Sequence, residues 1–214
     1  MVRSVRVVKR LIDVAGSLLG LAITAPFFPL IAAAVYLDSP GTIFIRQRRA
    51  GQLIRATDDP SAKEGDSPKF REFSMLKFRS MRPDAEELTG PVLASEDDPR
   101  VTRVGRFLRK TRIDEVPQFI NVFLGDMSIV GPRPVRPAFF NRLCEEVPQY
   151  WQRLVVRPGV TGFAQTRITR EDSWEDKLIH DLEYIADRSI RLYLRVLGAT
   201  ITRIISLTLR GRDR

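Results

Sequence analysis

The sequence predicts an α+β fold that is predominantly α-helical and forms a single membrane-associated domain. Three observations lead to this class: a charge-free N-terminal segment interrupted by proline, two short strand-like segments flanking a polar loop, and helical patterns over most of the rest. The chain has 214 residues, of which 43% are hydrophobic, enough for one sizeable core. We expect residues 1–40 to form a re-entrant membrane helix and residues 41–214 to form a domain packed on the membrane surface, as one folding unit.

The composition indicates an anionic partner. The net charge is +9 and the pI is near 10.3, so nucleic acid, acidic lipid headgroups and phosphorylated substrates all remain open. Cys144 is the only cysteine, which excludes an intrachain disulfide and fits a reducing compartment. His180 is the only histidine, which argues against a zinc cluster and against a Ser/His/Asp triad.

The apolar segment, residues 14–37, is long enough to meet the usual threshold of ~20 residues for crossing a bilayer. Pro26 and Pro29 lie near its middle, where each removes a backbone donor and crowds the carbonyl group four residues earlier. We therefore expect a break at Pro26, with the Thr24 hydroxyl as the nearest partner for the freed carbonyl groups. Each arm would be roughly 16 to 18 Å long, about half of the hydrocarbon core.

The basic residues that flank this segment favour a re-entrant topology. A single crossing should show a clear asymmetry of basic residues, whereas a helix that enters one leaflet and returns should be basic at both ends. A straight spanning helix kinked at Pro26 and a cleaved signal peptide are the alternatives. The flanking residues are Arg3, Arg6, Lys9 and Arg10 before the segment and Arg46, Arg48 and Arg49 after it.

A β-hairpin is predicted after the apolar segment. Residues 42–47 and 69–78 carry β-branched or alternating patterns, and the polar stretch TDDPSAKEGDSP lies between them. Residues 97–110 then predict a short helix with Arg103, Arg106 and Lys110 on one side. Near the C-terminus, residues 188–210 predict an apolar helix with a basic stripe, which suits either the headgroup layer or a core helix with one wet face. The stripe consists of Arg188, Arg191, Arg195, Arg203 and Arg210.

Two adjacent carboxylates lie in the arginine-rich stretch RIDEVPQF, residues 112–119. Pro117 is tolerated only in the first turn of a helix, which places a helix start at about Asp114. On the residues alone, Asp114 as an N-cap with Glu115 in the first turn is the favoured interpretation. The alternative is that the pair handles an anionic group that the surrounding arginines hold.

Two loops rich in glycine and proline present further arginines. LGDMSIVGPRPVRP, residues 124–137, contains Arg133, and RPGVTGFAQTR, residues 157–167, is a second such loop. Stiff loops suit bidentate phosphate recognition, although each is also typical of a solvated turn. Lys77 and Arg79 in LKFRSM are as compatible with ordinary surface positions as with a phosphate-binding site.

Taken in order, these motifs resemble the bacterial sugar transferases known as monotopic phosphoglycosyl transferases, or polyprenyl-phosphate hexose-1-phosphate transferases. The resemblance extends from about Lys9 to Leu197, and the block from Arg103 to Pro134 is its most specific part. The length is similar to that of the small catalytic-core form. The motifs are FIRQRRAGQ, LKFRSM, RVGRFLRKTRIDEVPQFINVFLGDMSIVGPRP, RPGVTGFAQ and SWEDKLIHDLEYI.

The resemblance implies transfer of a sugar-1-phosphate from a nucleotide diphosphate sugar, usually a UDP-sugar, to a polyprenyl phosphate such as undecaprenyl phosphate, with release of UMP. This step starts bacterial glycan assembly at the cytoplasmic face of the inner membrane. By the motif match, Asp114 is the nucleophile that forms an aspartyl phosphosugar in a ping-pong mechanism, and Glu115 helps to hold Mg²⁺. The match further implies that Lys77, Arg79, Arg109 and Arg133 surround the phosphates and that Asp181 supports the site.

The chain departs from the family pattern at the membrane kink, where small members commonly carry Ser-Pro and this chain has Ala25-Pro26. A non-catalytic, membrane-anchored basic adaptor that binds nucleic acid or acidic lipid is the alternative function. Stacking aromatic residues are sparse among the arginines, so we expect no nucleic-acid partner. The sequence leaves open the sugar, the glycan pathway and the oligomeric state, a homo-oligomer included.

Overall fold

A computed structural model of the chain describes residues 3–54, 69–87, 90, 92, 98–168 and 173–210. The described part is mostly helical with short strands, as the sequence predicts. The helices are α1 Arg3–Thr24, α2 Phe28–Asp38, α3 Arg103–Thr111, α4 Gln118–Leu124, α5 Pro137–Glu146, α6 Phe163–Arg167, α7 Trp174–Asp187 and α8 Ile190–Arg210. The strands are β1 Phe44–Leu53, β2 Phe70–Phe78, β3 Ser128–Val130 and β4 Gly159–Thr161.

The predicted break in the apolar segment is a 3₁₀ turn over Ala25–Phe27, between α1 and α2. The carbonyl group of Ala25 accepts a hydrogen bond from the Phe28 amide, so the 3₁₀ geometry itself satisfies a group that Pro29 cannot bond. The Thr24 hydroxyl donates to the Gly20 carbonyl at 2.6 Å. Thr24 therefore bonds within the preceding helical turn and does not satisfy the carbonyl groups that the prolines free, which differs from the expectation.

The middle of α1 is docked on the rest of the molecule through polar contacts. Arg10 donates to the carbonyl groups of Val122 and Phe123 at 2.6 and 2.7 Å, which lie at the C-terminal end of α4 where a cation is favourable. Asp13 is only 3% exposed and accepts hydrogen bonds from the Ser128 hydroxyl, the Ile129 amide and the Tyr193 hydroxyl. Their lengths are 2.9, 2.8 and 2.7 Å, respectively.

The far end of the N-terminal pair of helices is docked on the same domain. Val35 of α2 is buried in a cluster with Phe78 and Leu108. Asp38, the last residue of α2, accepts a hydrogen bond from the Val104 amide at 2.7 Å in the first turn of α3. Both ends of the helical pair are therefore fixed to one globular unit.

Between these two attachments the helical pair presents an uncovered apolar surface. The exposed fractions of Leu19, Phe27 and Leu30 are 62%, 58% and 71%. In the described part of the chain, Ser4–Asp38 is the one helical stretch that is long and apolar enough to cross a membrane, and its most apolar window is 6% buried. A large apolar surface of this kind is typical of a protein or membrane interaction site.

The predicted hairpin is confirmed as the antiparallel pair β1 and β2, with Gln47 opposite Met75. Strand β1 extends further than expected, to Leu53, with an irregularity after Ala50. The predicted polar loop between the strands, residues 57–68, lies outside the described residues. The side chain of Asn121 on α4 accepts from the Leu76 amide and donates to the Ser74 carbonyl, both at 2.9 Å. These two hydrogen bonds hold α4 against β2.

The two glycine-rich loops contain a short parallel pair, β3 and β4, which sequence patterns did not indicate. A Cβ atom on Gly159 would lie 2.1 Å from the Gly131 amide nitrogen, so only glycine allows the two backbones to approach this closely. Residues of both strands pack against the buried face of α8 in the largest core cluster. The pair fixes the segment that leads to Arg133.

Two predicted helix boundaries are wrong. The predicted helix over residues 97–110 begins only at Arg103, because the Thr102 hydroxyl accepts from the Gly105 amide at 3.0 Å and caps the helix there. Asp97 itself lies outside the described residues. Arg188 does not belong to the C-terminal basic stripe, because its φ of 42° ends α7 before α8 begins. Within α8, Arg191, Arg195 and Arg203 are exposed while Leu192, Tyr193 and Val196 are buried. The first half of α8 is thus a core helix with one solvent-exposed face.

We predict that Asp13→Ala lowers the free energy of unfolding by about 3 kcal/mol, since three buried donors lose their acceptor. Thermal unfolding followed by circular dichroism measures the change. Glu145→Ala on the exposed face of α5 is the control and should shift stability by less than about 0.5 kcal/mol. Equal stability of both variants would contradict a structural role for the Asp13 contacts.

Candidate active site

The two adjacent carboxylates lie in the turn that connects α3 to α4. Arg112 adopts a left-handed conformation, with φ of 61°, which ends α3 and reverses the chain. A 3₁₀ turn over Ile113–Glu115 follows, and the N-cap of α4 is Pro117, which offers no side-chain acceptor. The interpretation of Asp114 as a helix N-cap is therefore wrong. The reversal at Arg112 turns both carboxylates inward, and each residue is 6% exposed.

The carboxylate of Glu115 is shared by three cationic side chains. Its Oε1 accepts from Lys77 Nζ at 2.8 Å and from Arg133 Nη2 at 2.9 Å, and its Oε2 accepts from Arg112 Nη1 at 3.0 Å. Burial by itself raises the pKa of this carboxyl group, but the three cations, Arg133 most of all, outweigh burial and hold the pKa of Glu115 well below its ordinary value. Glu115 is therefore a fixed negative charge at the centre of a basic cluster.

The neighbouring carboxylate of Asp114 has a different environment. Its Oδ1 atom is buried and has no hydrogen-bond partner. Burial raises the pKa of Asp114 above its ordinary value, and the negative charge of Glu115 adds to this effect against the opposing charges of Lys77 and Arg109. The pKa values of two carboxyl groups adjacent in sequence are thus shifted in opposite directions, which is typical of groups with different chemical roles.

Two of the four predicted phosphate-binding residues contact Glu115 directly. Lys77 is 12% exposed in its side chain, so it is not the surface charge that its sequence context also allowed. Its pKa is lowered by burial and raised in part by Glu115, with a net lowering. Arg133 is 47% exposed in its side chain, and the Glu115 charge raises its pKa. A ligand can therefore reach Arg133 from solvent.

The other two predicted phosphate-binding residues are placed differently. The guanidinium group of Arg109 donates from Nε to the Ser80 hydroxyl at 2.9 Å, and its charge acts on Asp114. Arg79 is 3% exposed and donates to the carbonyl groups of Ser39 and Pro40 after α2. The described contacts of Arg79 therefore join the N-terminal helices to β2 and do not reach the carboxylates.

Asp181 lies behind the basic cluster. It is 2% exposed on α7, and its carboxylate forms an ion pair with Arg153 at 2.6 Å. Arg153 also donates to the Tyr150 hydroxyl, and its charge acts on Arg133. Burial raises the pKa of Asp181, although the charge of Arg153 opposes this shift. Among the described contacts, Asp181 is connected to the carboxylate pair through Arg153, whose charge acts on Arg133.

Sequence reasoning did not single out two residues that line the small cavity beside Glu115. Arg49 and Gln118 line it together with Lys77, Glu115 and Arg133. Arg49 lies on the same face of β1 as Gln47, whereas Arg46 and Arg48 are exposed. The two-residue period of a strand, applied to FIRQRRAGQ, is the signal that distinguishes Arg49 from its basic neighbours. Gln118 follows Glu115 by three residues, within one helical turn.

The carboxylate turn offers hard oxygen ligands of the kind that Mg²⁺ prefers. The described residues contain no group of three or more His, Cys, Asp or Glu side chains that could form a metal cage. However, Glu115 Oε2 has a single partner, the half-exposed Arg112, and Asp114 Oδ1 has none. Since Mg²⁺ usually takes one or two carboxylates together with waters and substrate phosphates, this donor set fits such an ion.

Comparisons with known proteins connect this geometry to a family. A family model described as bacterial sugar transferase matches residues 4–207. The exopolysaccharide production protein PSS of Rhizobium leguminosarum bv. phaseoli is 37% identical over 203 residues, which cover 91% of this chain and 94% of that protein. The UDP-glucose:undecaprenyl-phosphate glucose-1-phosphate transferase of Caulobacter vibrioides is 36% identical over 205 residues, 92% of this chain and 70% of that protein.

Some relatives are much longer than this chain. The UDP-N-acetylgalactosamine-undecaprenyl-phosphate N-acetylgalactosaminephosphotransferase of Aeromonas hydrophila is 36% identical over 202 residues, which are 93% of this chain but 44% of that protein. The matches do not favour the non-catalytic adaptor, and they identify the chain as an enzyme of the transferase class. The chain belongs to the bacterial sugar transferase family.

Proposed function

We propose that this protein transfers a sugar-1-phosphate from a UDP-sugar to undecaprenyl phosphate and releases UMP, as an initiating step of glycan assembly. Relatives that match most of the chain carry names for this type of reaction. The single observation that carries the proposal is the buried, unpartnered Oδ1 of Asp114 beside a carboxylate, Glu115, whose charge is shared by three cations. Such a pair suits a nucleophile next to an anion-binding cluster.

In the proposed first step, a carboxylate oxygen of Asp114 attacks the phosphorus atom that carries the sugar. A new P–O bond to Asp114 forms, and the P–O bond to the bridging oxygen breaks, so that UMP leaves with the electron pair. In the second step, a phosphate oxygen of undecaprenyl phosphate attacks the same phosphorus atom and the bond to Asp114 breaks. The products are undecaprenyl diphosphosugar and the regenerated carboxylate, which is a ping-pong sequence.

The different environments of the two carboxylates support this division of roles. A carboxylate with few stabilising partners is the stronger nucleophile, and Asp114 has a raised pKa and an unpartnered oxygen. Glu115 has a lowered pKa because its charge is already compensated by Lys77 and the two arginines. We therefore assign the covalent role to Asp114 and the organising role to Glu115.

The basic residues would offset the charge of the phosphates during attack. An incoming carboxylate is repelled by a diphosphate unless cations neutralise the phosphate oxygens. Arg133 is half exposed and Lys77 is nearly buried, so Arg133 can contact the solvent-facing side of a bound phosphate and Lys77 its buried side. Arg109 acts electrostatically on Asp114 and completes the predicted set. Arg79 and Asp181 would contribute through the framework and not through ligand contact.

Mg²⁺ fits the remaining oxygen ligands of the carboxylate turn. Glu115 would hold the ion through Oε2, after the half-exposed Arg112 moves aside. When bound, Mg²⁺ would neutralise phosphate oxygens and stabilise the charge that develops on them.

We further propose a monotopic, re-entrant topology at the cytoplasmic face of the inner membrane for residues 1–40, with residues 41–214 as the catalytic domain. Asp13 and Asp38, at the two ends of the apolar segment, both contact the same domain, whereas the surface around Phe27 is apolar and exposed. A spanning helix would separate its ends by the ~30 Å hydrocarbon core. Attachment of both ends to one unit therefore supports insertion and return from one side, which would hold the carboxylates near a lipid-borne phosphate.

We predict that Asp114→Asn lowers UMP release from UDP-sugars by roughly three orders of magnitude or more, as expected when a nucleophile is removed. The assay contains undecaprenyl phosphate and Mg²⁺, and a panel of UDP-sugars identifies the donor. Chelation of the metal should suppress release, and added Mg²⁺ should restore it. Intact-mass measurement with donor alone should find a phosphosugar adduct on the wild type only. Asp187→Asn on α7 is the matched control; turnover by Asp114→Asn without an adduct would refute the mechanism.

We predict that Glu115→Gln lowers the free energy of unfolding at neutral pH by roughly 2 kcal/mol, less than for a fully buried pair because Arg112 and Arg133 are half exposed. The folded-state pKa of Glu115 lies below the ordinary value of 4.5, so its stabilisation is present above that pH and is lost as the pH falls through the folded-state pKa. The stability difference between wild type and variant should therefore shrink in acid. Denaturant titrations at pH 7 and at pH 3.5 measure it, and a difference that grows in acid would contradict the assignment.

We predict that residues 4 and 46 are accessible from the same side of the membrane. In a Cys144→Ser background, Ser4→Cys and Arg46→Cys should both react with an impermeant maleimide in inside-out vesicles and neither in right-side-out vesicles. Phe27→Cys, at the exposed break, should be protected in both. Labelling of residues 4 and 46 from opposite sides would establish a spanning helix instead.

A further inference from the structure

We propose that Arg49 and Gln118 form a binding site for the diphosphate of the nucleotide-sugar donor, a role that rests on the proposed function. Neither residue belongs to the set that the family resemblance implies for the phosphates. Both line the cavity beside Glu115, together with Lys77 and Arg133. Unpartnered donors and a net positive charge distinguish the lining of this cavity.

Arg49 is held in the cavity by neutral groups. Its Nη1 donates to the Pro134 carbonyl at 3.3 Å, and its Nη2 donates to the Gln47 side-chain carbonyl at 2.8 Å. Its Nε is buried and has no hydrogen-bond partner. Among the residues that the structure describes, no carboxylate lies within ion-pair distance of this guanidinium. By contrast, Arg48 on the outer face of β1 pairs with Glu72 at 2.7 Å.

The positive charge of Arg49 is poorly compensated. Burial lowers its pKa to about 9, and the nearby charges of Arg133 and Arg136 add to this lowering more than Glu115 opposes it. A guanidinium group is a strong bidentate partner for phosphate oxygens, and an anion in the cavity would remove the repulsion between the arginines. The fixed position of Arg49 on a strand would leave little side-chain freedom to lose on binding.

Gln118 supplies a second unpartnered donor. It is 2% exposed at the start of α4, and its Nε2 is buried with no hydrogen-bond partner. Buried amide donors are almost always bonded, so this unpaired donor beside a cavity is available to a polar group that enters it. An amide donor is neutral, and it would add direction to the binding of a phosphate oxygen without adding charge.

The cavity, of about 10 Å³, admits a single phosphate oxygen, and the net charge of its lining matches a diphosphate whose other atoms would lie outward beside the half-exposed Arg133. Three cationic side chains, Arg49, Lys77 and Arg133, and one carboxylate, Glu115, line it, which leaves two positive charges. The diphosphate bridge of a nucleotide sugar carries two negative charges, one on each phosphate. The phosphate of the lipid acceptor offers related chemistry, so the experiment below separates the two sources.

The test is the affinity of purified full-length protein for UDP, measured by isothermal titration with Mg²⁺ present and with no sugar or lipid. Arg49→Ala should weaken UDP binding by at least about tenfold, since a charge-assisted bidentate contact is lost. Gln118→Met, which keeps the volume but has no donor, should weaken it by about fivefold. Both variants should lose most of the preference of the wild type for UDP over UMP. Arg49→Lys keeps the charge without the Nε donor and should bind with intermediate affinity.

Arg48→Ala and Gln149→Met are the matched controls, because both side chains are exposed, and they should bind UDP as the wild type does. Thermal unfolding identifies any variant that fails to fold. If Arg49→Ala fails to fold, the UDP affinity of Arg49→Lys tests the role of Arg49 instead. In turnover assays the Arg49 and Gln118 variants should raise the KM for the UDP-sugar and leave the KM for undecaprenyl phosphate unchanged.

The outcomes separate this site from the proposed function. Wild-type turnover together with unchanged UDP affinity in folded Arg49→Ala and Gln118→Met would overturn the site and leave the function intact. If the variants changed only the affinity for undecaprenyl phosphate or for inorganic phosphate, the proposed site would also be overturned, because the residues would then bind another ligand. Binding of UDP that depends on Arg49 in a protein that releases no UMP would uphold the site and reject the function.

Discussion

The site depends on one buried interaction, the carboxylate of Glu115 shared among Lys77, Arg112 and Arg133. These cations come from β2, from the turn after α3 and from the loop after β3, so one side chain holds three separate parts of the chain together. A buried charge is tolerated only when it is paired, and here the pairing is in excess on the positive side. The surplus makes the turn electropositive, and Oδ1 of the neighbouring Asp114 has no hydrogen-bond partner within it.

The N-terminal helices are part of this framework and are not a detachable anchor. Asp13 bonds the Ile129 amide in β3, two residues before the loop that carries Arg133, and Arg10 bonds the end of α4, whose start carries Gln118. Arg79 bonds the chain just after α2 from the end of the strand that carries Lys77. The position of the helical pair and the geometry of the basic cluster are therefore mechanically linked, and a membrane segment held in this way would fix the height of the site above the lipid.

Local patterns in the sequence predicted the features that local chemistry determines. The prolines fixed the break at Ala25–Phe27, and alternation fixed the hairpin. The same patterns fail where distant residues decide. They predict Asp114 as a cap because periodicity carries no sign of a left-handed Arg112, and they miss the β3–β4 pair because it joins segments about thirty residues apart. The family resemblance selected Lys77 and Arg133, which the structure brings to Glu115. It could not distinguish them from Arg79, whose partners are the carbonyl groups after α2.

The balance of charge also bears on the order of the proposed steps. The side chains that line the cavity beside Glu115 leave an excess of two positive charges before any metal ion binds, which matches the charge of one diphosphate, and Mg²⁺ in the proposed site would offset part of any further phosphate charge. Like charges crowded in a partly buried site repel each other strongly, because water screens them poorly there. Departure of UMP would remove negative charge from the site and restore its attraction for the next anion. Under the proposed mechanism, a covalent intermediate on Asp114 would let UMP leave before the lipid phosphate enters, so that the site would hold fewer anions at one time.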